Sequence, residues 1–281
     1  MRRIIAKRSK VVQYFIIAAL IYIIPGCEKA LELKKPKSGA VDVFNEVWTV
    51  MDERYSMFGI KNVDWKSVYA EYQAKVNDEM SDVDLFHVLG AMLEKLKDGH
   101  IVLSSSNDKT GYDAFYKAFA PNFNYTNVLN NYLKNDYTTT GPFIYKVVDS
   151  VGYIYYKSFQ DEISDQLLDN LIGDMLRNTK AVIIDVRDNT GGNSLNATKI
   201  FSHFISEKRL VKYEWIKNGT GHNDFATPEP FYISPAGQIY KKPIAVLTNR
   251  KCFSTCNDFV LFMSDLPNVK QYGDQTGGGG G

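Results

Sequence analysis

Ala181-Val182-Ile183-Ile184-Asp185-Val186-Arg187-Asp188-Asn189-Thr190-Gly191-Gly192-Asn193 sets the fold of this chain. Its first four residues are apolar and mostly β-branched, the composition of a strand buried on both faces. The run ends at Asp185, and a double glycine then opens a helix expected over about 194–206. A buried strand running through a glycine turn into a helix is a building unit of α/β sheets. Glycines there leave backbone N–H groups bare beside a helix N-terminus, where partial positive charge collects. Such a turn suits a phosphate or a developing oxyanion. It lacks the Gly-Lys-Ser/Thr ending of a P-loop and the dinucleotide fingerprint. A plain tight turn before a helix is the alternative.

The same alternation extends in both directions. Strands are expected over 143–148, 153–159, 210–216 and 243–247. Ile163, Leu167, Leu168, Leu171, Ile172, Met175 and Leu176 mark an amphipathic helix, and another is expected over 253–263. Upstream, 41–96 reads as mostly helical, with Phe44, Val47, Trp48, Met51 and Tyr55 at three- and four-residue spacing. A second helix is expected over 65–76. Ser81 is an N-cap with Asp84 three residues on, in a variant capping box. Leu85 to Leu96 then forms an apolar stripe, and Gly99 is expected to end that helix in the left-handed conformation. Residues 104–141 read as loop with a short helix. The fold class is therefore α/β, a helical N-terminal lead-in followed by a mixed, mainly parallel β-sheet core flanked by helices.

Two further segments carry chemistry. Asp98-Gly99-His100 places a histidine, the usual general base near neutral pH, at a helix-to-strand junction. Thr248 to Phe259 takes a buried strand through a polar turn into a helix beginning near Ser254. A serine there is placed as a nucleophile whose neighbours' amides receive an oxyanion, or as a helix N-cap. The segment is not a Gly-x-Ser-x-Gly elbow, so the ordinary α/β-hydrolase reading fails.

Composition bounds the partners. Hydrophobic residues make up 44% and charged residues 23% of the 281, ordinary for a globular chain. Residues 1–26 hold Arg2, Arg3, Lys7, Arg8 and Lys10 and no acid, so removing them from the formal charge of +1 leaves a body near −4. No concentrated basic excess remains to bind nucleic acid. The basic cluster precedes an almost wholly apolar run, Val11 to Ile24, about the length of a signal-peptide core. It ends in Ile24-Pro25-Gly26-Cys27, which resembles a bacterial lipobox and implies lipidation at Cys27, with the body outside the cytoplasmic membrane. An uncleaved anchor helix is the alternative. Glu28 to Ala40 reads as a linker. Cys252 and Cys256 read as small buried thiols, with a local disulfide as the other possibility, and no metal-ligand spacing accompanies them.

Taken in order, Asp98-Gly99-His100, the Asp185–Asn193 turn and the Ser254 segment resemble the C-terminal processing (tail-specific) serine peptidase family. The lead-in with Trp48, Tyr55 and Val63-Asp64-Trp65 resembles its tricorn-like, histidine-using branch. The resemblance implies a ClpP/crotonase-like core, Ser254 as nucleophile and His100 as base. It implies an oxyanion hole from the Thr255 amide with Gly191 or Gly192. It implies protein or peptide substrates and no cofactor or metal. Asp98 reads as a helix-end residue, and Asp185 and Arg187 as braces of the oxyanion turn. The lysine of the lysine-using branch is glycine here, and 103–143 is too short to hold a PDZ domain.

The expected organisation is a signal peptide over 1–26, a linker over 27–40, a helical region over 41–103 and a peptidase core over 104–281. Gly277 to Gly281 follow Gly273-Asp274-Gln275-Thr276, which reads as a core cut short at its C-terminus. The function expected is an exported, lipid-anchored serine endopeptidase of a bacterial cell envelope, in the periplasm or on the outer membrane. A non-catalytic ligand- or peptide-binding module on the same fold and an inactive truncation product are the alternatives.

Overall fold

The computed structural model describes residues 39–279. The signal segment, Cys27 and most of the linker lie outside the described residues. The lead-in comprises α1 (Ala40–Arg54), α2 (Phe58–Lys61), α3 (Trp65–Gln73) and α4 (Asp82–Glu94). Trp48 and Trp65 stack with their planes 2° apart, and each indole N–H donates to the other's backbone carbonyl at 3.2 Å. That reciprocal pair locks α1 to α3 while burying two large apolar faces. Phe44, Tyr55, Phe58, Leu89, Met92 and Leu96 complete the helical core.

Two local expectations are corrected here. Ser81 does cap α4, accepting from the Asp84 amide at 3.2 Å, but Asp84 does not return the bond to the backbone. Its carboxylate takes the Ser81 hydroxyl at 2.7 Å instead. The left-handed residue after α4 is Lys97 (φ 49°), not Gly99. Gly99 is small for another reason, since a Cβ there would lie 3.1 Å from the Phe253 ring.

Residues 104–141 are more ordered than their composition suggests. They hold most of a hairpin, β1 (Val102–Ser104) with β2 (Lys109–Gly111), then α5 (Ala114–Lys117), α6 (Tyr125–Asn127) and β3 (Thr138–Thr140). The central elements are β4 (Phe143–Val148), β5 (Val151–Tyr156), α7 (Asp165–Asp169), β6 (Ala181–Asp185) and α8 (Ser194–Ser202). A hairpin of β7 (Arg209–Glu214) with β8 (Glu229–Ile233) precedes β9 (Ile244–Thr248), α9 (Thr255–Ser264) and β10 (Val269–Gly273). The second strand is shifted from the expected 153–159 to Val151–Tyr156. α7 carries on as a π-helical turn over Asn170–Met175, which keeps Leu168, Leu171 and Ile172 on the buried side.

The six-stranded sheet has the order β10-β9-β6-β5-β4-β3. β10, β9, β6 and β5 run parallel; β4 pairs antiparallel with β5, and β3 pairs antiparallel with β4. The expected mainly parallel sheet flanked by helices is what forms. β6 and β9 are neighbours, with Asp185 opposite Leu247, so the loops leaving their C-terminal ends emerge side by side. Crevices at the carboxyl ends of parallel strands are where such folds bind ligands.

Candidate active site

The loop after β9 turns sharply into α9. Ser254 takes φ 56°, ψ −128°, immediately before α9. A non-glycine residue there is strained by about 1–3 kcal/mol. Ser254 occupies the N-cap position, yet its side chain caps nothing. Its Oγ lies 3.0 Å from His100 Nε2 instead, across 154 positions of sequence. Its amide donates to the Gly278 carbonyl at 2.9 Å, which fixes the turn from below.

His100 arrives from the loop after α4. Its ring rests on Phe253, centroids 4.6 Å apart, and Phe253 also covers Gly99. The Asp98 carboxylate accepts the His100 amide at 3.0 Å and lies 3.7 Å from His100 Nδ1. Its other oxygen accepts the Tyr55 hydroxyl at 2.6 Å. Burial, then the Asp98 carboxylate, pushes the Tyr55 phenol up from its ordinary value, so it remains a donor. Asp98, expected as a helix-end residue, lies in the loop beyond the end of α4 at Glu94 and is instead the carboxylate beside the imidazole. The tie from Tyr55 is invisible to local pattern.

The glycine turn after β6 approaches the same point. A Cβ on Gly191 would fall 2.9 Å from the Ser254 Cβ and 2.9 Å from the Thr255 nitrogen. The two glycines differ in what their amides do. Gly191 N–H donates to Asn189 Oδ1 at 2.9 Å. The Gly191 carbonyl accepts from Phe159 N–H at 3.0 Å, so the trans peptide turns the Gly192 N–H away from Phe159. The Thr255 hydroxyl donates to the Gly192 carbonyl at 2.6 Å, tying the turn to the start of α9.

Asp185 is fully buried and bound at both oxygens. Arg187 donates Nε and Nη2 to it at 2.9 and 2.5 Å, and the Tyr153 hydroxyl donates at 2.8 Å. Burial, then Asp185, raises the Tyr153 phenol and keeps it protonated. Asp185 and Arg187 therefore brace the turn, as the sequence suggests. Asn249 is the residue that sequence reasoning overlooked. Only 2% exposed, it accepts the Asp188 amide at 3.0 Å and donates to the Asp188 carboxylate at 2.7 Å, clipping the two loops together. A polar residue just past a buried strand was its only signal.

Cys252 and Cys256 are buried free thiols. Cys252 precedes α9, so the two do not share a helical face, but both sulfurs approach the Val186 carbonyl, at 3.0 and 3.9 Å. Burial pushes the Cys256 thiol well up. His203 is buried with Nδ1 2.8 Å from the Gln238 carbonyl, and His222 Nε2 sits 2.8 Å from Asp52 Oδ1. Among the described residues, no group of three or more His, Cys, Asp and Glu is placed to hold a metal ion.

A serine hydroxyl on a strained strand-to-helix turn, in hydrogen-bond reach of an imidazole and beside bare amides, is the arrangement of serine hydrolases. Comparison with known proteins narrows the class. A model of peptidase family S41 matches residues 150–281, and one of the tricorn protease C1 domain matches residues 41–94. A candidate peptidase from Parabacteroides merdae ATCC 43184 is 42% identical, with a TM-score of 0.81 over 87% of this chain and 78% of that one. Mature CPAF shares the fold at a TM-score of 0.60 and 12% identity, over 85% of this chain and 83% of that one. A candidate CtpA-like serine protease from Staphylococcus haemolyticus is 26% identical over 137 residues, 48% of this chain. The chain spans about a quarter of the length of that curated relative, 26%. The chain belongs to peptidase family S41, the C-terminal processing peptidases.

Proposed function

We propose that this chain is an exported, lipid-anchored serine endopeptidase in which Ser254 and His100 carry the reaction. The single observation supporting it most is the 3.0 Å contact between Ser254 Oγ and His100 Nε2 at a strained turn where the serine caps nothing. In this reading His100 Nε2 takes the hydroxyl proton as Oγ attacks the peptide carbonyl carbon. The carbonyl oxygen, now an oxyanion, receives the Thr255 and Gly192 amides. Gly192 is preferred because the Gly191 amide is already bound to Asn189. His100 then returns the proton to the leaving amine, and the C–N bond breaks to leave an acyl ester on Ser254. Water, deprotonated by His100, releases the acyl group.

The anchor reading rests on the basic cluster, the apolar run and Cys27, all outside the described residues. Among the described residues no helix is long and apolar enough to cross a membrane. Attachment through lipid on Cys27 is tested by labelled palmitate, which the parent chain incorporates and Cys27→Ser does not.

The peptidase reading is tested by hydrolysis of unstructured protein and fluorogenic peptides. Ser254→Ala and His100→Gln are each expected to fall by at least about 10³-fold. Cleavage surviving both variants contradicts the assignment. A parent that binds peptide without cutting it points to a binding module on the same fold.

A further inference from the structure

A cleft of about 570 Å³ lies between the helical lead-in and the core and opens beside His100. Its apolar wall includes Met51, Met57, Ile60, Phe115 and Phe253. Ile60 stands 80% exposed on the rim, with nothing packed over most of it. The charged groups are unevenly divided. Arg54 from α1, Lys61 from α2 and Lys97 from the turn after α4 all line it, against a single carboxylate, Asp98. That carboxylate is taken by the Tyr55 hydroxyl and the His100 amide. Lys61 donates to the Lys97 carbonyl at 2.8 Å, while the Arg54 and Lys97 side chains bond to no other described residue. Tyr116 and Tyr55 in the cleft add no negative charge at neutral pH, since burial pushes Tyr116 up to about 12 and raises Tyr55 as well. Cations gathered in a partly enclosed cleft focus a positive potential along it.

We propose that this cleft is a substrate subsite selecting peptide segments in which an acidic side chain accompanies apolar or aromatic ones. The inference rests on the peptidase reading and names the substrate class of the same site. Ile60, Met57 and Phe115 take the apolar side chains. Arg54 and Lys97, free of competing acids, take the carboxylate, while the peptide chain runs past His100 towards Ser254. An exposed charge pair is worth little singly, so two or three together give a preference of about fivefold, sensitive to salt.

The test reads binding apart from cleavage by using Ser254→Ala. N-acetylated, C-amidated peptides of one apolar sequence carry Glu, Gln or Lys at two positions and a neutral fluorophore. At low salt the Glu peptide is expected to bind about fivefold tighter than the Gln peptide, and the Lys peptide weakest. The order is expected to flatten in 1 M salt, where the screening length is about 3 Å. The double substitution Arg54→Glu with Lys97→Glu, checked for folding by circular dichroism, inverts the order. Equal affinity of the three peptides for the Ser254→Ala chain overturns the inference. So does a gain confined to a Gln peptide with a free C-terminal carboxylate, which means the cleft reads a chain end. Turnover by the parent chain is scored separately. A Glu peptide bound tightly and never cut contradicts the peptidase reading while leaving the cleft's preference standing.

Discussion

Gly191→Ala tests whether the two loops must touch for the site to exist. Gly191 sits at φ 92°, a conformation that costs an L-residue about 1–3 kcal/mol. The added Cβ would also lie 2.6 Å from the Phe253 carbonyl oxygen and 2.9 Å from both the Ser254 Cβ and the Thr255 nitrogen. Those atoms are backbone, or the first side-chain atom on it, so no rotamer change relieves the overlap. Forced overpacking adds about 1–3 kcal/mol. The expected destabilisation is therefore about 2–6 kcal/mol, a large share of a domain's total. The strain is relieved only by parting the turn after β6 from the start of α9. In the proposed mechanism that removes the Gly192 and Thr255 amides from the developing oxyanion, and losing one such donor costs about 10²–10³ in kcat. Urea unfolding followed by tryptophan fluorescence measures the first effect. Peptide hydrolysis at a temperature where the variant is still folded measures the second. Gly59→Ala is the control, because its nearest neighbour, the Asn223 side chain, is 4.0 Å away. A Gly191→Ala chain with the parental urea midpoint and parental hydrolysis rate refutes the reasoning.

Three further outcomes follow from the same contacts. Asp98→Asn removes the negative charge 3.7 Å from His100 Nδ1, and peptide hydrolysis is expected to fall about 10- to 100-fold, allowing for the half-exposed ring. Trp65→Ala deletes a nearly buried indole and its bond to the Trp48 carbonyl, and chemical denaturation should show a loss of about 3–5 kcal/mol. Burial raises the phenols of Tyr55, Tyr153, Tyr155 and Tyr156 above their ordinary value. Their contribution to stability is complete below the unfolded value of about 10 and is lost as pH rises above it, because only the unfolded chain then ionises. Thermal melts should drop beyond pH 10, and Tyr153→Phe should flatten part of that drop.

The core strands were legible because burial on both faces leaves a composition signal that survives without context, as in Ala181–Asp185 and Ile244–Thr248. β10 left no such signal, since it is the edge strand and its residues are mostly exposed. β8 carries Pro230, which argues against a strand until the two-stranded hairpin with β7 is seen. Gly99 was assigned a backbone duty that Lys97 performs, because sequence shows which residue tolerates positive φ but not which neighbour needs the space. The proposed catalytic pair was not legible from spacing at all. His100 and Ser254 come together through Phe253, which packs against Gly99 and His100 at once. Only resemblance to a family named them jointly. The bonds of Asn249 to Asp188 and of Tyr55 to Asp98 leave no local signal because the partners are 61 and 43 positions apart.

The central claim is that Ser254 is a nucleophile activated by His100. Reaction with a fluorophosphonate, followed by peptide mapping of the adduct, tests it most directly. The account predicts one adduct per chain on Ser254, none on Ser254→Ala, and slow labelling of His100→Gln. An adduct mapped to any other residue, or equal labelling of the parent chain and Ser254→Ala, contradicts it.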